Sequence, residues 1–169
     1  MATLGCNRSQ PPARETAPAT PPASTLPADN GEEWIVSDRG VGTIAIGERS
    51  EALQGRVDQL GKVGECVYGN VKGREGILIM MVDGVVKRVD VTNAATATSL
   101  GARVGDSEAQ VKKLYPSLRV EPHKYVSGGH YLVVDGGGQR RLVFETDGKN
   151  VTRYRAGASP QVDWVEGCS

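Results

Sequence analysis

The 169-residue chain lacks most of the features that make chemistry legible in a sequence. Its formal net charge is zero and its acids and bases are interleaved. With no basic stripe to neutralise a phosphate backbone, nucleic acid is a poor partner class. No apolar run approaches the roughly 18 residues of a membrane-spanning helix. There are only two histidines, His123 and His130, and their spacing matches no common metal motif. With Cys66 and Cys168 they could supply a Cys₂His₂ zinc set, but a disulfide accounts for those cysteines more simply, so no metal or cofactor is expected. No Gly-x-Ser-x-Gly elbow is present. Gly136-Gly137-Gly138 is followed by Gln139-Arg140-Arg141 and no Gly-Lys-Ser/Thr, so it reads as a hairpin tip and not a phosphate loop. Ser127, His130 and Asp135 could be assembled into a hydrolytic triad, as three such residues can in almost any chain. The expectation is a chain with no catalytic residues.

Six of the nine prolines fall between Pro11 and Pro27, among Ala, Thr and Ser and without apolar periodicity. Such a segment cannot bury enough surface to offset its ordering entropy. Residues 1–32 are therefore expected to form a semi-extended tether. Residues 33–169 are enough for one globular domain with a real core. Just before the tether stands Thr3-Leu4-Gly5-Cys6, small residues ahead of a cysteine. This start resembles the processing site of bacterial lipoproteins. The resemblance implies that Cys6 carries a lipid, that the chain is held to a membrane by that anchor, and that the domain faces the periplasm. Asn7 after Cys6 implies the outer membrane. Five residues precede Cys6 and none is basic, so the charged and apolar parts of a secretory signal are expected upstream of this start. The alternative is an incidental cysteine.

Cys66 and Cys168 are the other two cysteines. In an exported domain two cysteines are most simply a disulfide, here closing a loop of about a hundred residues and contributing about 4–5 kcal/mol. The alternative is a pair of buried thiols in a cytosolic protein.

Abundant glycine and valine favour strands joined by tight turns. The folded part reads as one unit used twice, over about 40–92 and about 99–157. Each copy opens on an apolar stretch ending in glycine, at Gly47 and Gly105. Each continues with Ser-Glu-Ala, at Ser50 and Ser107. Each closes on Asp-Gly, at Asp83-Gly84 and Asp147-Gly148. The Ser-Glu-Ala segments read as helix starts, and Ser107 with Gln110 fits a capping box. Leu53, Val57 and Leu60 recur at helical spacing up to Gly61, and Val111, Leu114 and Tyr115 do so before Pro116. The Asp-Gly pairs read as two-residue hairpin turns. Ile77–Val82, apolar on both faces, should be a central strand. Trp34–Val36 and Val162–Val165 read as opening and closing strands. The expected fold class is α+β, with two degenerate helix-plus-antiparallel-hairpin repeats forming a sheet with helices on one face. On these motifs the chain resembles the tandem beta-lactamase-inhibitory-protein-like fold and is similar to the SmpA/BamE outer-membrane lipoproteins. It departs from them at Glu48-Arg49 and Asp106-Ser107, where those families carry Met-Thr.

A sheet covered on one side leaves the other open. Tyr68, Tyr131, Tyr154 and Trp164 with Arg88, Arg141 and Arg153 are the candidate binding patch, since aromatics and arginine dominate interface energetics. The resemblance implies that the partner is another protein: a secreted enzyme or toxin to be inhibited, or an envelope component. Recognition of a glycan or small ligand by the same open face is the alternative.

Overall fold

The computed structural model describes Met1 and residues 34–168. Cys6, the expected lipidation site, and the expected tether lie outside the described residues. The chain divides into a unit ending at Gly31 and a compact unit from Glu32 to Ser169.

That second unit is built on one antiparallel sheet of eight strands. In chain order these are β4 (Val57–Val63), β5 (Cys66–Val71), β6 (Ile77–Val82), β7 (Val85–Val91), β9 (Arg119–Pro122), β10 (His130–Asp135), β11 (Arg140–Thr146) and β12 (Val151–Ala158). Their spatial order is β4-β5-β6-β7-β12-β11-β10-β9. Two four-stranded meanders thus join along their last strands. At the seam Asp90 faces Arg155 and Val91 faces Tyr154. The meanders share a register. Ile79 faces Val89 as Phe144 faces Tyr154, and each ladder slips once, at Met80/Met81 and at Glu145/Thr146.

A smaller sheet of β1 (Ile35–Ser37), β2 (Gly40–Val41), β3 (Ile44–Ala45) and β8 (Ala97–Thr98) contributes to the core on one face of the large sheet. There Val36, Val41 and Ile44 pack with Ile77, Ile79, Val89, Leu132, Phe144 and Tyr154, all buried. Burial of this kind, at about 25 cal/mol per Å², is the main favourable term of the fold.

The architecture corrects the α+β expectation. Among the described residues the only α-helix is α1 (Glu108–Leu114), two turns long, and the fold is mostly β. The expected first helix is a single 3₁₀ turn, Ser50–Leu53, and the residues beyond it form β4. The reason lies in the register of the two copies. Gly47 N–H donates to Val86 O, and Gly105 N–H to Val151 O. Arg49 bridges Val85, and Ser107 bridges Asn150. Arg49, not Ser50, therefore holds the N-cap that Ser107 holds in the second copy. Ser107 accepts from Gln110 N–H in a complete capping box; Arg49 makes no side-chain cap bond. Loss of such a cap costs a helix about 1 kcal/mol. Gly55 follows at φ 80°, which no helix interior accepts, and ends the turn.

Other expectations meet mixed outcomes. Asp83 and Gly84 have φ of 52° and 68°, as a two-residue type I′ turn requires. Asp147-Gly148 belongs instead to a four-residue loop between Thr146 and Val151, held by the Asp147 carboxylate on the N–H groups of Lys149 and Asn150. The expected closing strand is a 3₁₀ turn, Gln161–Asp163.

Candidate functional site

The second face of the large sheet carries Tyr68, Leu78, Met80, Arg88 and Asp90 in the first meander, and Tyr131, Val133, Val143, Glu145, Arg153 and Arg155 in the second. The expectation of an open face is corrected here, because the C-terminal segment lies across it. Cys66 and Cys168 form the disulfide that pins this segment. Arg88 and Arg155 capture its backbone. Arg88 Nη1 donates to Gln161 O at 3.2 Å and to Trp164 O at 2.5 Å, and Arg155 Nε donates to Val162 O at 2.6 Å. Val162 is fully buried and packs with Tyr131, Val133 and Val143, with Val165 beside them.

Charges buried beneath this segment are paired, as burial demands. Arg88 donates to both Asp90 oxygens, at 3.0 and 2.8 Å, and to the Tyr68 hydroxyl at 2.9 Å. Burial lowers the Arg88 pKa, but Asp90 outweighs it, so the guanidinium is held charged. Burial, aided by Asp90, pushes the Tyr68 hydroxyl up to about 12 and keeps it protonated. Glu145 is hydrogen-bonded to Arg155, Arg153 and His123. Burial raises its pKa, but the two arginines prevail and hold the carboxyl below its ordinary range. Arg155 is pulled below the ordinary arginine range by burial, against Glu145.

What the segment leaves uncovered is a cleft of about 350 Å³ over the first meander. Leu60, Leu78 and Val165 line it with apolar surface. Tyr68, Arg88, Asp90, Thr92 and Arg153 supply polar groups, and Glu166 and Gly167 complete the wall. Apolar walls with a few convergent polar groups are the usual make-up of a binding site. Among the candidate residues, Tyr68, Arg88 and Arg153 come together here, and Trp164 is joined to them through its carbonyl. The other three do not. Tyr131 is buried under the C-terminal segment. Tyr154 lies in the core on the opposite face and donates to Thr96 O. Arg141 pairs with Asp135 and Asp163 in the second half. Leu60, Leu78, Asp90, Thr92 and Val165 were not singled out by sequence reasoning. The signal that could have found them is the pairing of Cys66 with Cys168, which obliges the end of the chain to cross this face.

The three residues of the hydrolytic alternative are not assembled. His130 opens β10 and Asp135 closes it, some 16 Å apart at about 3.3 Å per residue. His130 Nδ1 is bonded instead to Glu108 Oε1 at 2.7 Å, and Asp135 to Arg119 and Arg141. Cys66 and Cys168 hold no thiolate for a metal, being joined to each other.

No family model matches the chain, and no curated protein matches it in sequence. In structure it is similar to the uncharacterized protein yfeY of Escherichia coli, at 14% identity over 73% of this chain and 99% of that one, with a TM-score of 0.49. It is similar to an extracellular protein containing an SCP domain from Bacillus anthracis, at 10% identity over 81% of this chain, with a TM-score of 0.53; the match spans 50% of that protein. A DUF4309 family protein, YjgB of Bacillus subtilis, matches at 16% identity over 62% of this chain and 65% of that one, with a TM-score of 0.36. At such identities the likeness concerns the fold alone.

Proposed function

We propose that this protein is a non-catalytic, lipid-anchored module of the bacterial envelope that binds another protein, through the cleft beside the C-terminal segment. The observation that carries the reading is the cleft itself. Buried Arg88, paired with the partly buried Asp90 and Tyr68, forms a rigid polar floor, and Leu60, Leu78 and Val165 leave apolar surface in solvent reach around it. Preorganised arginine and tyrosine beside exposed aliphatic groups are the make-up of an interface hot spot. The anchor comes from the resemblance of Thr3-Leu4-Gly5-Cys6 to a lipoprotein start. The Cys66–Cys168 disulfide suits the oxidising periplasm such an anchor implies. Inhibition, immunity or envelope assembly are the roles this reading covers, with the outer membrane as its place.

The test is chemical crosslinking of the full-length protein in its own cells, followed by mass spectrometry of the purified adduct and of the Cys6 peptide. The expected result is one abundant protein partner and a diacylated or triacylated Cys6. An unmodified Cys6 would remove the anchor. Absence of any stoichiometric partner would remove the binding role.

A further inference from the structure

The two meanders present equivalent surfaces to the C-terminal side of the sheet, and only one is filled. Register fixes the equivalence. Tyr68 faces Met80 as Tyr131 faces Glu145, and Leu78 faces Asp90 as Val143 faces Arg155. Met80 in turn faces Arg88 as Glu145 faces Arg153, so Arg153 is the counterpart of Arg88. In the second meander Tyr131 and Val143 are buried under Val162 and Val165. In the first, their counterparts Tyr68 and Leu78 line the cleft. Arg88 spends its Nη1 on two backbone carbonyls of the C-terminal segment. Arg153 lines the cleft with half its side chain exposed and is engaged through Nε, on Glu145.

The filled half therefore describes the ligand of the open one. Resting on the protein-binding reading, we infer that the cleft receives a short apolar segment of the partner, held as the second meander holds residues 161–165: a branched aliphatic side chain against Tyr68 and Leu78, and backbone carbonyls accepting from Arg153. A branched aliphatic group matches the chemistry already buried at Val162. A guanidinium suits carbonyls because its planar fork offers several donors at fixed spacing. The apolar walls exclude water from those bonds, as the O-ring of a hot spot does. Asn70, exposed where the second meander has buried Val133, leaves one flank of the cleft polar. The segment is thus apolar at one position and not a continuous apolar strand.

The probe is a blocked synthetic peptide of residues 160–166, Pro-Gln-Val-Asp-Trp-Val-Glu, titrated into the full chain with its disulfide formed and followed by NMR. Saturable shifts are expected at Leu60, Tyr68, Leu78 and Arg153. Replacing the first valine of the peptide by aspartate should weaken binding at least about tenfold, as should Arg153→Gln in the protein. Leu60→Lys, at an exposed position on the cleft wall, keeps the fold and should weaken binding by about fivefold or more. Shifts confined to Tyr131 and Val143, or none at millimolar peptide, would overturn the inference. If the cellular partner is found and its binding is indifferent to Leu60→Lys, this mode and the cleft as the contact site fail, while protein binding itself stands. If no partner exists, both fail.

Discussion

The two halves of the large sheet share strand order and, between their last two strands, register and the position of the ladder slip, yet they treat the same surface in opposite ways. The second half buries Tyr131, Val133 and Val143 beneath Val162. The first leaves Tyr68 and Leu78 beside a cleft. Its helix is reduced to one 3₁₀ turn, where the second half keeps α1. One copy is closed by its own chain, and the other keeps a cleft in solvent reach. The difference is set by few groups: one disulfide, two buried arginines and one N-cap.

The comparison breaks most severely at the disulfide. Replacing Cys66 and Cys168 by serine should lower the unfolding free energy by about 4–5 kcal/mol for so long a loop, measured by urea denaturation. Tyr131, buried under the C-terminal segment, should become accessible to phenol-modifying reagents at the same time. Next come the two arginines on Glu145. Arg155→Ala strips a buried carboxylate of its buried partner and should cost about 3–5 kcal/mol. Arg153→Ala removes the half-exposed partner of the same carboxylate and should cost about 1 kcal/mol or less. Equal costs would mean that burial does not distinguish the two arginines on Glu145. Third, Val162→Ala opens a cavity under the C-terminal segment and should cost about 2 kcal/mol. Leu60→Ala on the cleft side should change stability by no more than about 0.5 kcal/mol.

A further expected effect, seen only at acid pH, concerns the helix that only the second half keeps. Glu108, at its first turn, accepts from the Thr146 hydroxyl at 2.6 Å and is bonded to Lys112 and His130. Burial raises its pKa, but these bonds overcome it and hold the carboxyl at about 2 against 4.5 for a free one. A depressed folded pKa means that the unfolded chain takes up the proton first. The contribution of Glu108, about 1–2 kcal/mol, is therefore complete above pH 4.5 and lost as pH falls toward 2. Glu108→Gln should remove that part of the acid limb of a stability–pH curve, lowering the neutral plateau without changing its slope.

Much of the strand pattern was legible before the fold. Asp83-Gly84 announces a type I′ turn, and the unbroken run Ile77–Val82 announces a strand buried on both faces; Met80, on the cleft face, is indeed fully buried. The pairing of Cys66 and Cys168 was legible from number and context. The first helix was misread because Ser50-Glu51-Ala52 looks like Ser107-Glu108-Ala109 while standing one residue out of register with it. A match of letters carried no match of N-cap, and Gly55 forbade the next turn. The open face was misread for a different reason. Nothing local marks Val162–Trp164 as a cover. It is held by Arg88 and Arg155, whose burial depends on the strands that surround them. Of the candidate patch, Tyr68, Arg88 and Arg153 line the cleft, and arginine and tyrosine on a strand face are distinctive in a sequence. Leu60 and Leu78 were missed because a leucine in a strand is ordinarily core.

The most direct measurement places a photo-crosslinking amino acid at position 60 and, separately, at position 121 of the full-length protein in its own cells. Leu60 lines the cleft, and Glu121 faces Tyr131 on the same face of the sheet. Both side chains are about half exposed, on the two opposite edges of the sheet. One partner protein is expected to crosslink from position 60 and not from position 121. Crosslinking from position 121 alone, or equally from both, would contradict the claim that the two halves divide cover from contact.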